Sequence, residues 1–146
     1  MPAPFSYDAH GQLRWGSEAA GLLIVECCRR RVLLVRRSEN VMDPGVWAVP
    51  GGRVEPEHRD ALSTAKTEAE EELGSLPRIR PRYADVYRSG DFTYTTYVCT
   101  ISDRVAADWR IRLNWENDAY GWFAMDDLPE PLHDNVRRVV AELASR

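Results

Sequence analysis

PGGRVE at residues 50–55 and TEAEEELG at residues 67–74 are the segments that decide the fold. The first is a turn signal, because proline and glycine interrupt regular structure. The second ends a predicted helix over residues 60–73, with Asp60 as the N-cap and Gly74 as the terminating residue. The helix has an apolar stripe at i,i+4 spacing, formed by Ala61, Ala65, Ala69 and Leu73. This helix and the turn before it fix the middle of the fold.

Three carboxylates converge on one side of this predicted helix. Glu68, Glu71 and Glu72 stand at i, i+3 and i+4, within an arc of roughly 100°, whereas Glu70 points away. Like charges held so close repel each other unless a hard cation such as Mg²⁺ or Mn²⁺ neutralises them. The alternative is a solvated, glutamate-rich helix face, which is common in proteins. From the helix alone, both interpretations stay open.

Short strands and a second helix surround this centre. Apolar runs at residues 21–28 and 32–35 predict two buried strands joined by Arg29-Arg30-Arg31, and residues 46–49 form a further short run. Strands are predicted over residues 82–88, 92–101 and 120–125, and an amphipathic helix over residues 134–144. This order predicts an α/β (α+β) sandwich that forms a single domain over residues 1–146.

Composition narrows the classes of function. The 146 residues carry a formal charge of −4, which disfavours long nucleic acid as a partner. No apolar run approaches the roughly 18 to 20 residues that span a bilayer, and the N-terminus does not resemble a secretory signal. We therefore expect a cytoplasmic protein without a membrane role. Cys27, Cys28 and Cys99 fall in predicted strands and are interpreted as reduced structural thiols.

The glycine turn, the loop and the acid-bearing helix together resemble the Nudix box of that pyrophosphatase family. The similarity extends from about Ala20 to Leu143 and includes LLVRR at residues 33–37, Trp47, GWF at residues 121–123 and DLP at residues 127–129. The family pattern is G-x5-E-x7-R-E-U-x-E-E-x-G-U. Here Thr67 replaces its arginine, Ser75 replaces its last apolar residue, and the loop is one residue longer. The loop glutamate therefore stays unassigned between Glu57 and His58.

The resemblance implies a Nudix-type α/β/α sandwich with a mixed central sheet and a metal-dependent hydrolase. Its substrate would be a nucleoside triphosphate, or a nucleoside diphosphate linked to another moiety, cleaved at a diphosphate bond. Mg²⁺, or Mn²⁺, would bind Glu68, Glu71, Glu72 and the carbonyl of Gly51. Glu116, in the loop before a late strand, is the candidate general base; its alternative is a surface acid.

Three further residues are candidates for substrate binding. Arg37 is similar in position to family residues that contact a phosphate, although a solvated strand-end arginine is the alternative. Trp47 and Tyr94 could stack on a base or sugar, but aromatic residues on short strands more often belong to a core. The expected partner is a small phosphorylated, nucleotide-like molecule, and assembly as a homodimer is left open.

Two other classes of protein compete with this interpretation. Thr67 and the longer loop also fit a catalytically weak Nudix-fold nucleotide-binding module, although all three box acids are intact. An isopentenyl-diphosphate isomerase relative would need a suitably placed catalytic cysteine. The cysteines lie in predicted strands, which disfavours that chemistry.

Overall fold

The computed structural model describes residues 5–7, 13–15, 17–55, 57 and 60–146. Within these residues the chain forms nine strands and three helices. In chain order they are β1 (Phe5–Tyr7), β2 (Leu13–Trp15), β3 (Glu18–Glu26), β4 (Arg31–Arg37), β5 (Trp47–Ala48), β6 (Gly51–Arg53), α1 (Ala61–Leu73), β7 (Arg80–Ser89), β8 (Phe92–Ile101), α2 (Asp103–Asp108), β9 (Asn117–Ala124) and α3 (Asp134–Ala144).

The central sheet has mixed strand directions, as predicted. Its main order is β5-β4-β3-β8-β7, with β6 also paired to β3 and β9 to β4. β3 and β8 run parallel in register from Glu18 opposite Thr93 to Glu26 opposite Ile101. The other pairings in this sheet are antiparallel, and β1 and β2 form a separate two-stranded sheet.

The two faces of the sheet carry two different helices. Alternate residues of a strand point to opposite faces, so Leu22 and Ile24 join one core and Leu23 and Val25 the other. The first core contains Ala65, Ala69 and Leu73 of α1. The second contains four apolar residues of α3, namely Val136, Val139, Val140 and Leu143. The sheet thus lies between α1 and α3, which confirms the α/β/α sandwich.

Capping residues end α1 where the sequence predicts. The Asp60 side chain accepts a hydrogen bond of 2.8 Å from the Ser63 amide, which satisfies a donor in the first turn. Gly74 adopts a left-handed φ of 83°, and its amide donates to the Glu70 carbonyl. A side chain at Gly74 would also place a Cβ 2.9 Å from the Arg112 carbonyl oxygen. Residues 134–144 also form the predicted helix.

The strand predicted over residues 21–28 is wrong at both ends. β3 begins at Glu18 and ends at Glu26, so Cys27 and Cys28 lie exposed in the turn to β4. Backbone amides of Cys28 and Arg29 donate to the Asp103 carboxylate instead of continuing the ladder. Asp103 is 75 residues away along the chain, so sequence periodicity does not reveal this contact. Cys99 is buried in β8, as expected.

Two elements between β3 and β9 were not expected. Residues 50–52 were interpreted as a break, yet β6 pairs with β3, placing Gly51 opposite Gly21. Gly51 permits this approach, because a Cβ there would lie 2.4 Å from the Ala20 carbonyl oxygen. The other unexpected element is α2.

In the stretches that the structure describes, no helix is long and apolar enough to cross a bilayer. His58 lies outside the described residues, and Glu57 is exposed.

Candidate active site

A cluster of three carboxylates forms where α1 meets the loop before β9. Glu68, Glu71 and Glu116 can each offer one carboxylate oxygen, and these oxygens all lie within 4.8 Å of one another. Glu71 is exposed, and the other two are partly buried. All three potential ligand atoms are carboxylate oxygens, the ligand type that Mg²⁺ prefers. A bound cation would relieve the repulsion between the three negative charges. The residues present therefore fit a hard divalent ion.

Gly52 makes room for one of these carboxylates. A Cβ at Gly52 would lie 2.6 Å from Cδ and 2.8 Å from Cγ of Glu68. Real Cβ atoms essentially never approach other atoms so closely, so any larger residue would displace the Glu68 side chain. The glycine turn thus packs directly against the acid cluster.

Glu72, the third acid predicted to converge on this side of the helix, is not in this group of three. It is only 3% exposed, and its oxygens accept hydrogen bonds from the Gly51 amide at 2.9 Å and from Asn117 Nδ2 at 2.7 Å. Burial raises the pKa of the Glu72 carboxyl to about 8, although both hydrogen bonds act in the opposite direction. The geometry therefore ties Glu72 to the glycine turn and to the start of β9.

The pKa of Glu68 is also raised, to about 7. Burial is the largest cause, followed by the negative charges of Glu71, Glu116 and Glu55. In the absence of a cation, this carboxyl holds its proton at pH values where an exposed glutamate is ionised. A cation bound at the cluster would favour the ionised form.

Asn114 holds the loop that carries Glu116. Its Nδ2 donates to Glu116 Oε1 at 3.2 Å, and its Oδ1 accepts from the Glu116 amide at 3.0 Å. The Asn114 amide donates to the Glu72 carbonyl at 3.3 Å, and the Ser38 amide donates to the Glu116 carbonyl at 2.9 Å. These contacts join the loop to the end of α1 and to the end of β4, so that Glu116 reaches the box acids.

A cavity of about 260 Å³ lies beside the cluster. Its wall includes four residues singled out from the sequence, Arg37, Gly51, Tyr94 and Glu116. Trp47 is not among the lining residues. It packs edge-on against Phe123, with ring centroids 5.1 Å apart, and the Arg36 guanidinium lies 5.9 Å from its ring. The structure thus brings Tyr94 to the cavity and places Trp47 against the core.

The cavity combines positive charge with an aromatic wall. Arg37 Nε donates to the Met42 carbonyl, and Arg53 forms a 2.7 Å ion pair with Glu55. Phe92 and Tyr94 lie next to each other, with ring centroids 6.4 Å apart. Burial is the main reason why the pKa of Tyr94 is raised, which keeps its phenol neutral. Such a wall can contact a phosphate chain and a planar ring together.

The lining residues that sequence reasoning did not single out include five polar or aromatic ones, Arg53, Tyr87, Phe92, His133 and Asn135. Arg53 directly follows the glycine turn, and that position was a usable signal. The other four come from the β7–β8 hairpin and the beginning of α3. No local pattern marks them, because only tertiary packing brings these elements to the glycine turn.

The chain is thus an α/β/α sandwich in which the Gly51–Gly52 segment and α1 place carboxylates beside a cavity lined by Arg37 and Arg53. Comparison with known proteins identifies the family: the NUDIX domain model matches residues 17–143. The chain belongs to the Nudix family, as the box residues indicated.

Curated relatives are similar to parts of the chain. An uncharacterized Nudix hydrolase, NudL, of Yersinia enterocolitica is 32% identical over 111 residues, which are 72% of this chain and 54% of that protein. A CMP-5'-(N-acetyl-N-hydroxy-3-aminopropyl)phosphonate hydrolase of Streptomyces rubellomurinus is 41% identical over 59 residues, or 40% of this chain and 28% of that protein. The chain therefore spans about half or less of the length of these relatives.

Solved structures match the fold over most of its length. The Nudix hydrolase RenU of M. smegmatis has a TM-score of 0.78 at 25% identity, covering 97% of this chain and 92% of its own. A MutT Nudix hydrolase from Burkholderia pseudomallei has a TM-score of 0.65 at 27% identity, covering 87% of this chain and 97% of its own. These neighbours are hydrolases by name, which supports the enzyme class expected from the sequence.

Proposed function

We propose that the chain is a divalent-metal-dependent pyrophosphohydrolase acting on a nucleotide-like substrate. The observation that carries this proposal is the convergence of Glu68, Glu71 and Glu116 within 4.8 Å beside a cavity lined by Arg37 and Arg53. Carboxylates that hold a cation and guanidinium groups that bind phosphate oxygens are two of the features that phosphoryl transfer uses.

Glu68 and Glu71 would hold the cation, Mg²⁺ or Mn²⁺, with the Gly51 carbonyl as a further proposed ligand. When bound, the ion supplies Lewis-acid polarisation of a phosphoryl oxygen and lowers the pKa of a water molecule. Glu72 supports this arrangement indirectly, because its carboxyl fixes the Gly51 amide. In this proposal Glu72 is a positioning residue and not a ligand.

The remaining residues would bind the substrate and move the proton. Arg37 and Arg53 bind the diphosphate from the cavity side. Glu116 Oε1 is held by Asn114, so Oε2 accepts the proton of the attacking water. The water oxygen bonds to one phosphorus atom. The bond between that phosphorus and the bridging oxygen breaks, and the leaving phosphate departs with the bridging oxygen.

The cavity favours a nucleoside as the remainder of the substrate. Phe92 and Tyr94 offer aromatic surface to a base, and stacking of this kind tolerates any planar ring. The Streptomyces relative is named for a substrate that contains CMP, which supports a nucleotide-linked diphosphate or phosphonate. The cytoplasmic location and a homodimer stay predictions.

The test is a panel of nucleoside triphosphates, nucleotide sugars, ADP-ribose and dinucleoside polyphosphates, with Mg²⁺ or Mn²⁺. Products are separated by ion-exchange chromatography, which identifies the bond that is cleaved. We expect cleavage of at least one compound, which chelation of the metal and Glu71→Gln both abolish and Glu70→Gln preserves. Binding of nucleotides without any product would support a binding module instead and overturn the proposed activity.

A further inference from the structure

The turn between β3 and β4 exposes two adjacent cysteines. Cys27 and Cys28 are both exposed there, and their sulfur atoms lie 3.6 Å apart. Free cysteine is among the residues most often buried, where it packs as a small apolar side chain. The buried Cys99 fits that structural role, whereas the exposed pair does not.

A carboxylate joins the two thiols. Asp103, the first residue of α2, is partly buried and lies 75 residues from Cys28 along the chain. Cys27, Cys28 and Asp103 can each offer one ligand atom, and these atoms all lie within 4.8 Å of one another. Tertiary packing therefore brings two sulfur atoms and one oxygen atom together, and we call these three residues the thiol cluster.

Backbone contacts hold the thiol cluster in place. Asp103 Oδ1 accepts from the Cys28 amide at 3.1 Å and from the Arg29 amide at 3.3 Å, and Oδ2 accepts from the Arg29 amide at 3.1 Å. The Cys27 amide donates to the Ile101 carbonyl at 2.9 Å, which anchors the turn to the end of β8. Because a carboxylate oxygen can accept two bonds, Oδ2 keeps a lone pair for a further partner.

The ligand types and the spacing of the sulfur atoms fit zinc. Zn²⁺ binds thiolate sulfur at about 2.3 Å in tetrahedral geometry, which places two sulfur ligands roughly 3.8 Å apart. The observed 3.6 Å is close to that value. Thiolates favour a softer ion than the oxygen-only cluster of Glu68, Glu71 and Glu116 does. Arg29 Nε, 3.9 Å from Asp103 Oδ2, would offset the negative charge left when Zn²⁺ binds two thiolates and a carboxylate.

The thiol cluster lies at the opposite end of the sheet from the proposed active site. Ala19, near the beginning of β3, lines the active-site cavity, whereas Cys27 directly follows Glu26 at the end of the same strand. At about 3.3 Å per residue, Ala19 and Glu26 are separated by roughly 23 Å. An ion at the thiol cluster would therefore bind apart from the proposed catalytic residues.

We propose that Cys27, Cys28 and Asp103 form a zinc-binding site that joins the β3–β4 turn to α2. Both cysteines bind as thiolates, Asp103 binds through one oxygen, and water supplies the fourth ligand. The two thiol protons pass to solvent as the zinc–sulfur bonds form. Because the ion binds the folded arrangement of distant segments, it stabilises the folded protein. This inference is independent of the proposed function.

Titration with Co²⁺, a spectroscopic substitute for Zn²⁺, tests the site. Thiolate ligands give Co²⁺ a charge-transfer absorption that carboxylates do not give, and excess Mg²⁺ occupies the carboxylate cluster. With a thiol-free reductant present, we expect the absorption to saturate at one Co²⁺ per chain and to disappear when Zn²⁺ is added. Absence of the absorption in the reduced wild type would overturn the proposal. Saturation at half an ion per chain would also overturn it, because the ion would then bridge two chains.

Variants separate the proposed ligands from other residues of the same type. Cys27→Ser and Cys28→Ser should each weaken Co²⁺ binding about tenfold or more, since even residues that only orient a ligand have effects of that size. Asp103→Asn keeps an oxygen for the backbone amides but loses the charge, so binding should weaken as well. Cys99→Ala and Asp108→Asn, an exposed change on the same helix, should bind as the wild type does. Wild-type affinity in folded Cys27→Ser and Cys28→Ser would contradict the assignment.

Protection of the thiols from alkylation gives a readout that needs no variant. The wild type is treated with iodoacetamide with and without Zn²⁺, and its peptides are compared by mass spectrometry. We expect Zn²⁺ to suppress alkylation of both Cys27 and Cys28, because a metal-bound thiolate is a weaker nucleophile. Equal alkylation of both residues with and without Zn²⁺ would refute the site.

Discussion

At the scale of single residues, the contact between Gly52 and Glu68 gives a direct test of the site. Gly52→Ala would place a methyl group 2.6 Å from the Glu68 carboxyl carbon, and the flexible glutamate would move aside. We expect turnover to fall by about 10²-fold, because misplacing a reacting group by roughly 1 Å has an effect of that size. The fold should survive, since the displaced group is the end of a side chain.

Steady-state kinetics and thermal melts of Gly52→Ala check this expectation together. Adding Glu68→Asp to the variant shortens the displaced side chain and should recover part of the lost turnover. Wild-type turnover in Gly52→Ala, with an unchanged requirement for metal, would show that the position of Glu68 does not matter for catalysis.

Helical spacing was sufficient to predict some site residues and insufficient for others. Glu68 and Glu71 share a face because they are three residues apart on α1, which sequence alone reveals. Glu72 shares that face too, but its oxygens are taken by Gly51 and Asn117, and Asn117 is 45 residues away. Spacing gives the direction of a side chain, whereas its partners depend on tertiary contacts.

At the scale of elements, local chemistry decided which boundaries were predictable. α3 has strong apolar periodicity, whereas α1 has an alanine-rich i,i+4 stripe together with an N-cap and a terminal glycine, so the ranges of both helices agree with the prediction. β6 has only three residues and two of them are glycine, so it carries no strand pattern. It forms because β3 offers a glycine opposite Gly51.

Thr67 on α1 stands where the family pattern has arginine, and the effect of this replacement can be measured. It is exposed on α1, one residue before Glu68 and four before Glu71. Thr67→Arg restores the family pattern and places a cation at i,i+4 from Glu71, which is worth about 0.2 to 0.5 kcal/mol on an exposed helix. We expect a slightly higher melting temperature of the metal-free protein, and turnover equal to or modestly above wild type.

Thermal melts and kinetics of this variant check the expectation. Thr67→Gln is an uncharged control of similar length, so comparing the two variants separates the effect of the positive charge from that of side-chain size. A clear decrease in both stability and turnover for Thr67→Arg alone would contradict the account. It would mean that the longer loop has reshaped the site around threonine.

At the scale of the whole molecule, the cavity arises from segments that are distant in sequence. Four segments contribute to its wall: the glycine turn, the β7–β8 hairpin, the loop bearing Glu116 and the beginning of α3. The sheet order places β8 beside β3 and the two helices on opposite faces. Sequence patterns predicted the layers, but they could not predict that Phe92 and Asn135 would share a cavity.

The raised pKa values predict how the stability of the metal-free protein depends on pH. Glu68 and Glu72 keep their protons up to about pH 7 and 8 when folded, whereas both ionise near 4.5 when unfolded. The unfolded chain then binds fewer protons between these values, so the free energy of unfolding falls as pH rises from about 4.5 to about 8. Differential scanning calorimetry in chelator should show this fall.

Glu72→Gln removes one of the two titrating groups, so its melting temperature should decline less steeply over the same pH range. Adding Mg²⁺ at pH 8 should raise the wild-type melting temperature, because an ion that binds the folded state stabilises it. A wild-type melting temperature that falls between pH 5 and pH 8 no more steeply than that of Glu72→Gln would contradict the buried-carboxyl account.

The central claim is that the carboxylate cluster is a divalent-metal site, and Mn²⁺ titration followed by electron paramagnetic resonance tests it most directly. The signal of free Mn²⁺ reports how much ion each protein removes from solution. Glu70 and Glu71 are both exposed on α1, but only Glu71 belongs to the cluster, so Glu70→Gln is a matched control for Glu71→Gln. We predict binding by the wild type and Glu70→Gln, and at least tenfold weaker binding by Glu71→Gln and Glu68→Gln. Equal Mn²⁺ affinity in all four proteins would contradict the claim.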